Sequence, residues 1–172
     1  MKELMKPIIV LTVICVITAA LLGATYTVTA PLISAAEKNA SDAAMAEVLP
    51  SAASFTELKV DGVEGLLIAA KDEGGSGYVF KVQSKGFGGA YQVMVGIGSD
   101  GKITGTKLLD NNETPGLGSK TGMPDFTGQF IGKDSSLDGV DTITGATISS
   151  KAFMTAVQIA YEGFAAVGEG AK

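Results

Sequence analysis

Tyr91-Gln92-Val93-Met94-Val95-Gly96-Ile97 runs into Gly98-Ser99-Asp100-Gly101 and out again through Lys102–Leu109. Tyr91, Val93, Val95 and Ile97 alternate with Gln92, Met94 and Gly96, which is the period of a strand. Ser-Asp-Gly between two apolar runs is a strong hairpin signal, because it supplies the residues a tight turn demands. Working backwards, Tyr78, Phe80 and Val82 alternate with Val79, Lys81 and Gln83, and Gly65–Ala70 and Phe55–Val60 are short strand candidates. This is a run of antiparallel strands.

Working forwards, Asp110 to Gly139 is rich in Gly, Asp, Thr and Ser. It reads as a long loop with a short helix near Phe126–Ile131, and loops of that length inside a compact domain are usually functional or disordered. From Ser149 to Val167 the period changes to that of a helix, with Phe153, Val157, Ala160, Tyr161 and Phe164 on one face. Gly168–Lys172 should fray. Strands followed by a helix predict an α+β domain, an antiparallel sheet with packed helices.

The N-terminal part is different in kind. No charged residue occurs between Pro7 and Ala36, and the run from Ile8 to about Thr29 exceeds the ~20 residues a spanning helix needs. The apolar stretch is longer than the core of a typical cleaved signal, and Ala-x-Ala processing patterns near its end are unconvincing. Lys2 and Lys6 stand on one side, with Lys38 alone among Glu37, Asp42 and Glu47 on the other. The positive-inside rule then puts the N-terminus in the cytoplasm and the domain outside. Ser34 to Val48 reads as a juxtamembrane helix lifting the domain off the bilayer, stopped by Pro50, with a hinge over Ser51–Phe55. The expected division is therefore 1–30 as N-terminus and transmembrane helix, 31–50 as juxtamembrane helix and 51–172 as an extracytoplasmic domain.

Composition narrows the chemistry. Of 172 residues 46% are hydrophobic and 18% charged, against the quarter or so charged in an ordinary globular protein, so apolar residues must lie outside a normal core. The 13 basic residues are all Lys, against 18 acidic ones, which argues against nucleic acid as a partner. With no His, catalysts and metal sites built on imidazole are excluded. The single Cys15, in the apolar run, excludes intramolecular disulfides, CxxC pairs and cysteine-ligated zinc or iron–sulfur sites. Redox chemistry, if present, must sit on an organic cofactor.

Three segments stand out. Asp141-Thr142-Ile143-Thr144-Gly145-Ala146-Thr147-Ile148-Ser149-Ser150 is a small-residue turn entering a helix. Thr147 lies at the helix entry, beside backbone N–H groups without partners, a natural phosphate seat. The alternative is an ordinary N-cap by Thr147, Ser149 or Ser150. Asn112-Glu113-Thr114-Pro115-Gly116-Leu117-Gly118 contains a tight Pro-Gly turn, and Gly86-Phe87-Gly88-Gly89-Ala90-Tyr91 is a glycine-rich approach to a strand, which alone could be a bulge. Gly116-Leu117-Gly118-Ser119-Lys120-Thr121 imitates a P-loop end but lacks the glycine before the lysine. Gly86–Gly89 is no dinucleotide fingerprint, since no helix follows.

Taken together, these segments resemble the FMN-binding domain family whose flavin is joined to threonine through its phosphate. The acceptor motif Asp-x-x-Ser/Thr-Gly-Ala-Thr is matched from Asp141 to Thr147, and Glu113–Gly118 and Gly86–Gly98 match in the expected order. The resemblance implies that Thr147 carries FMN covalently, attached from FAD by a flavin transferase of the ApbE type, with Asp141 and Thr144 in the flavin-transfer motif; Asp141 either serves when the transferase activates the Thr147 hydroxyl or caps the turn. It further implies that Glu113, Thr114 and Leu117 line the flavin or order the loop, with Gly145 and Ala146 beside it. Lys151, one helical turn after Thr147, is a candidate to neutralise the phosphodiester. Within the family the chain is most similar to the G-subunit branch of Rnf-type complexes, which couple electron transfer between ferredoxin and NAD to ion translocation. The sister branch, from the sodium-pumping NADH:quinone reductase (its C-subunit branch), is usually longer. The expectation is an electron-relay subunit in the membrane, working with other membrane subunits, with no catalytic residue or metal of its own. A stand-alone extracytoplasmic flavin carrier and an anchored binding module without cofactor are the rivals.

Overall fold

The computed structural model describes the backbone of residues 2–170 and the side chains of residues 5–168. It divides into two units, one up to Asp42 and one from Ala43 onward.

The first unit lies wholly within a single helix, α1 (Lys2–Val48), which continues through Pro31. Its most apolar window has a mean hydropathy of 2.6 and none of that window is buried. Leu11, Val16, Leu21 and Leu22 are among the exposed side chains. This exposed apolar stretch is long and apolar enough to cross a membrane. Its threonine hydroxyls are compatible with lipid, because each is satisfied inside the helix: Thr12, Thr18, Thr25, Thr27 and Thr29 donate to the carbonyls of Ile8, Ile14, Leu21, Ala24 and Thr25 at 2.8–3.0 Å. Cys15 is a free thiol on this helix.

The second unit is α+β. Five strands, β1 (Phe55–Leu58), β2 (Leu66–Asp72), β3 (Gly77–Lys85), β4 (Ala90–Gly98) and β5 (Ile103–Asn111), form one antiparallel sheet in chain order. The Gly98–Gly101 turn closes β4 onto β5, with the Gly101 amide donating to the Gly98 carbonyl at 2.9 Å and Gly101 at φ 79°. Beyond β5 come a 3-10 turn (Gly118–Gly122), the short helix α2 (Pro124–Thr127), a second 3-10 turn (Gly128–Phe130) and the long helix α3 (Thr147–Gly170). The expected fraying at the C-terminus falls partly outside the described residues, and α3 itself continues to Gly170.

Both faces of the sheet are buried. On one, Phe80, Val82, Tyr91, Val93, Val95 and Ile97 meet Phe153, Ala156, Val157 and Ala160 of α3, with Phe126, Phe130 and Leu137 filling the end. Phe126 and Phe153 pack edge to face with centroids 5.4 Å apart. On the other, Ala70, Val79 and Met94 meet Ala44, Met45, Val48 and Leu49. The last turn of α1 is thus part of the domain's second core, although the sequence of Ser34–Val48 by itself reads as a spacer. Glycine makes this possible. Gly96 and Gly105 face each other across β4 and β5, and a Cβ on either would run into the backbone of Val48. The Thr104 hydroxyl then donates to the Val48 carbonyl at 2.6 Å, satisfying an acceptor the helix end leaves open. The following connection is anchored by buried Asp72, which accepts from the amides of Ala53 (3.2 Å) and Ser76 (2.9 Å). The hydrogen bond from Ser76 is the main reason its carboxyl is held at about 2, against an opposing push from burial.

Candidate functional site

The start of α3 is built by its own serines. The Ser150 hydroxyl accepts from the Ile143 amide and donates to the Ala146 carbonyl, both at 3.0 Å, which folds Ile143–Ala146 back onto the helix. Gly145, at φ 81°, takes the left-handed conformation that this turn requires. The first helical hydrogen bond runs from the Ser150 amide to the Ala146 carbonyl at 2.9 Å. The residue in the capping position is therefore Ala146, which has no side chain to cap with. The amides of Thr147, Ile148 and Ser149 find no acceptor among the described residues. None of the three hydroxyl residues caps the helix: the Thr147 hydroxyl makes no hydrogen bond among the described residues, Ser149 turns to Glu113, and Ser150 holds the preceding turn.

Glu113 joins the three segments that the sequence singles out. Its Oε2 accepts from the Ser149 hydroxyl at 2.6 Å, and its Oε1 accepts from the Gly88 amide at 3.2 Å. Its own amide donates to Asn111 Oδ1 at 3.1 Å. Two glycines make room for the carboxylate, since a Cβ at Gly86 or Gly118 would collide with it. Beneath lies Tyr91, whose hydroxyl is hydrogen-bonded to Thr121, which in turn donates to the Gly118 carbonyl at 2.6 Å. Burial pushes the Tyr91 phenol up to about 12, and the Glu113 charge adds to that push.

Above this floor is a cleft of about 400 Å³, within the range of small-molecule sites. Glu113, Thr114 and Leu117 border it from the loop, Gly145, Ala146 and Thr147 from the helix entry, and Phe87, Gly118, Ile148 and Ser149 complete it. Of the residues expected at the site, six meet here. Lys151, Asp141 and Thr144 do not line it. The Asp141 amide is tied to Gln129 Oε1 at 2.9 Å. Sequence reasoning does not find Phe87 and Ile148 as site residues. Phe87 is 68%, Ile148 57% and Leu117 48% exposed. In Phe87 the signal is present: a large aromatic among glycines has nothing of its own to pack on.

The chemistry of this arrangement is legible. Open amides at a helix N-terminus suit a phosphate, and exposed apolar side chains around a cleft suit a flat aromatic ring. The residues present therefore fit a flavin mononucleotide.

Residues 86–162 match the FMN-binding domain family. Over 94% of its length the chain is 38% identical to the G subunit of the ion-translocating oxidoreductase complex of Methanosarcina acetivorans, covering 94% of that protein. It is 33% identical to the G subunit of the proton-translocating ferredoxin:NAD(+) oxidoreductase complex of Clostridium ljungdahlii, over 88% of this chain and 86% of that one. It is 32% identical to the G subunit of the Na(+)-translocating ferredoxin:NAD(+) oxidoreductase complex of Acetobacterium woodii, over 94% and 91%.

Proposed function

The chain belongs to the family of G subunits of ion-translocating oxidoreductase complexes, and from that premise we propose that it is a single-pass membrane flavoprotein relaying electrons within such a complex. The other membrane subunits supply the sites for the terminal donor and acceptor. FMN is held covalently, as a phosphoester on Thr147, and a flavin transferase of the ApbE type installs it. One observation carries this reading. Thr147 stands exposed at the first helical position, its hydroxyl unused, beside three amides that no side chain caps.

Each neighbour has its part. The amides of Thr147, Ile148 and Ser149 hold the phosphate. Gly145 and Ala146 let it approach the backbone, and Lys151 neutralises it from one turn further along. Leu117 and Thr114 border the ring, and Glu113 orders the loop that carries them. Asp141 and Thr144 are read by the transferase, which accounts for their position away from the cleft. A flavin supplies one- and two-electron transfer without any His or Cys from the protein. Covalent attachment keeps it from being lost outside the cell. The domain is extracytoplasmic, following the lysines at positions 2 and 6, with residues 1–30 as the N-terminus and span, 31–50 as the juxtamembrane part of α1 and 51–172 as the flavin domain.

Intact mass of the full chain, produced with and without the transferase, tests the reading. The mass should increase by one FMN moiety only with the transferase, and the yellow colour should survive denaturation. A colourless chain of unmodified mass in both cases would contradict it.

A further inference from the structure

Glu113 does more than a loop tie requires. Its side chain is 7% exposed and borders the cleft. Both oxygens are occupied by neutral donors, the Ser149 hydroxyl and the Gly88 amide. No lysine pairs with it: the ion pair found among the described residues is Lys107 with Glu47. A neutral glutamine has nearly the same shape and could meet the same two groups, yet a buried charge without a counter-ion costs more to keep than an amide. Gly86 and Gly118 leave out their side chains to admit this carboxylate.

We propose that Glu113 is a positioning residue for the flavin's electrostatics: its buried negative charge, without a counter-ion among the described residues, holds down the reduction potential of a flavin bound in the cleft. This rests on the reading that FMN is attached to Thr147. Two-electron reduction with uptake of one proton leaves a flavin one unit more negative, and a fixed negative charge in a poorly screened site opposes that change. A fixed charge at the cleft is one of the few means of tuning a flavin open to a protein without His and with its one Cys on the apolar helix. The field of Glu113 reaches beyond its own partners, since it also disfavours ionisation of Tyr91. The two partners act in the opposite sense to the carboxylate: the Ser149 hydroxyl and the Gly88 amide partly compensate the charge, so losing one of them should strengthen its effect.

A mediated redox titration of the flavin-loaded full chain tests this, with intact mass taken on the same samples. Glu113→Gln should keep FMN on Thr147 and raise the midpoint potential. Ser149→Ala should keep it and lower the potential. An unchanged or lowered potential in loaded Glu113→Gln overturns the proposal. Should Glu113→Gln not load, Ser149→Ala decides, a lowered potential supporting the proposal and an unchanged or raised one overturning it. If neither variant loads while both remain folded by circular dichroism, Glu113 serves attachment and the proposal falls. Flavin absent from Thr147 in the parent chain overturns the underlying reading and this inference together, whereas flavin on Thr147 with unmoved potentials overturns the inference alone.

Discussion

Thr104 donates its hydroxyl to the Val48 carbonyl at 2.6 Å, and through that contact the end of the long N-terminal helix becomes part of the sheet it precedes. Val48 rests on the glycine pair Gly96 and Gly105, so the seat is made of backbone and leaves no room for a side chain. Ala44, Met45 and Leu49 close the second core beside it.

A soluble fragment that begins at residue 43 should therefore be more stable than one that begins at residue 51. The shorter fragment loses Met45, Val48 and Leu49, and each buried side chain of this size contributes about 1.5–3 kcal/mol. Urea unfolding of the two fragments should show a difference of several kcal/mol, and Gly105→Val in the longer one should cost about 1–3 kcal/mol by overpacking. Equal midpoints would mean that this end of the helix adds nothing to the domain.

The tyrosines give a pH dependence of defined sign. Tyr91 and Tyr161 are both raised to about 12, each chiefly by burial. A phenol whose folded value exceeds its unfolded value of about 10 contributes stability that is fully present below pH 10 and is lost as pH rises towards 12. Ultraviolet absorbance of phenolate should therefore show the Tyr91 and Tyr161 signal appearing well above pH 10, together with cooperative unfolding. Ionisation of Tyr91 near pH 10 in folded protein would contradict the buried network of Tyr91, Thr121 and Gly118.

Much of this is readable in the sequence, for reasons of distance along the chain. The strands show because alternation and Ser99-Asp100-Gly101 are local, and α3 shows because Phe153, Val157 and Ala160 recur at helical spacing. The second core does not show. Met94 and Gly96 look like the solvent side of a half-buried strand, and what covers them lies some fifty residues upstream in a stretch that any spacer helix could share. Likewise Thr147 stands out in its motif, but Glu113 and Ser149 are 36 residues apart, and no local pattern says that they meet. The choice between cap and phosphate seat turns on Ala146, whose side chain cannot cap.

Lys151 separates attachment from tuning. It is exposed, one turn beyond Thr147, and outside the cleft, so its charge should act on the phosphate rather than the ring. Lys151→Gln should slow or weaken flavin attachment by the transferase and leave the potential of the attached flavin nearly unchanged. A clear shift in potential with normal attachment would move Lys151 to the ring.

Topology is open to a simple digestion. The chain has no Arg, so trypsin cuts only at lysines, and Lys120 is exposed on the Gly118–Gly122 turn. In intact cells or right-side-out vesicles trypsin should cleave there. Protection that ends only on lysis would put the domain on the cytoplasmic side.

The central claim is that Thr147, at the open N-terminus of α3, bears the flavin. Peptide mapping by mass spectrometry of the chain produced with the transferase, beside its Thr147→Ala variant, addresses that claim most directly. The expected result is an FMN phosphoester on Thr147 in the parent chain, and a folded variant of unmodified mass. Flavin remaining on the variant, or mapped to Ser149 or Ser150 in the parent, would contradict it.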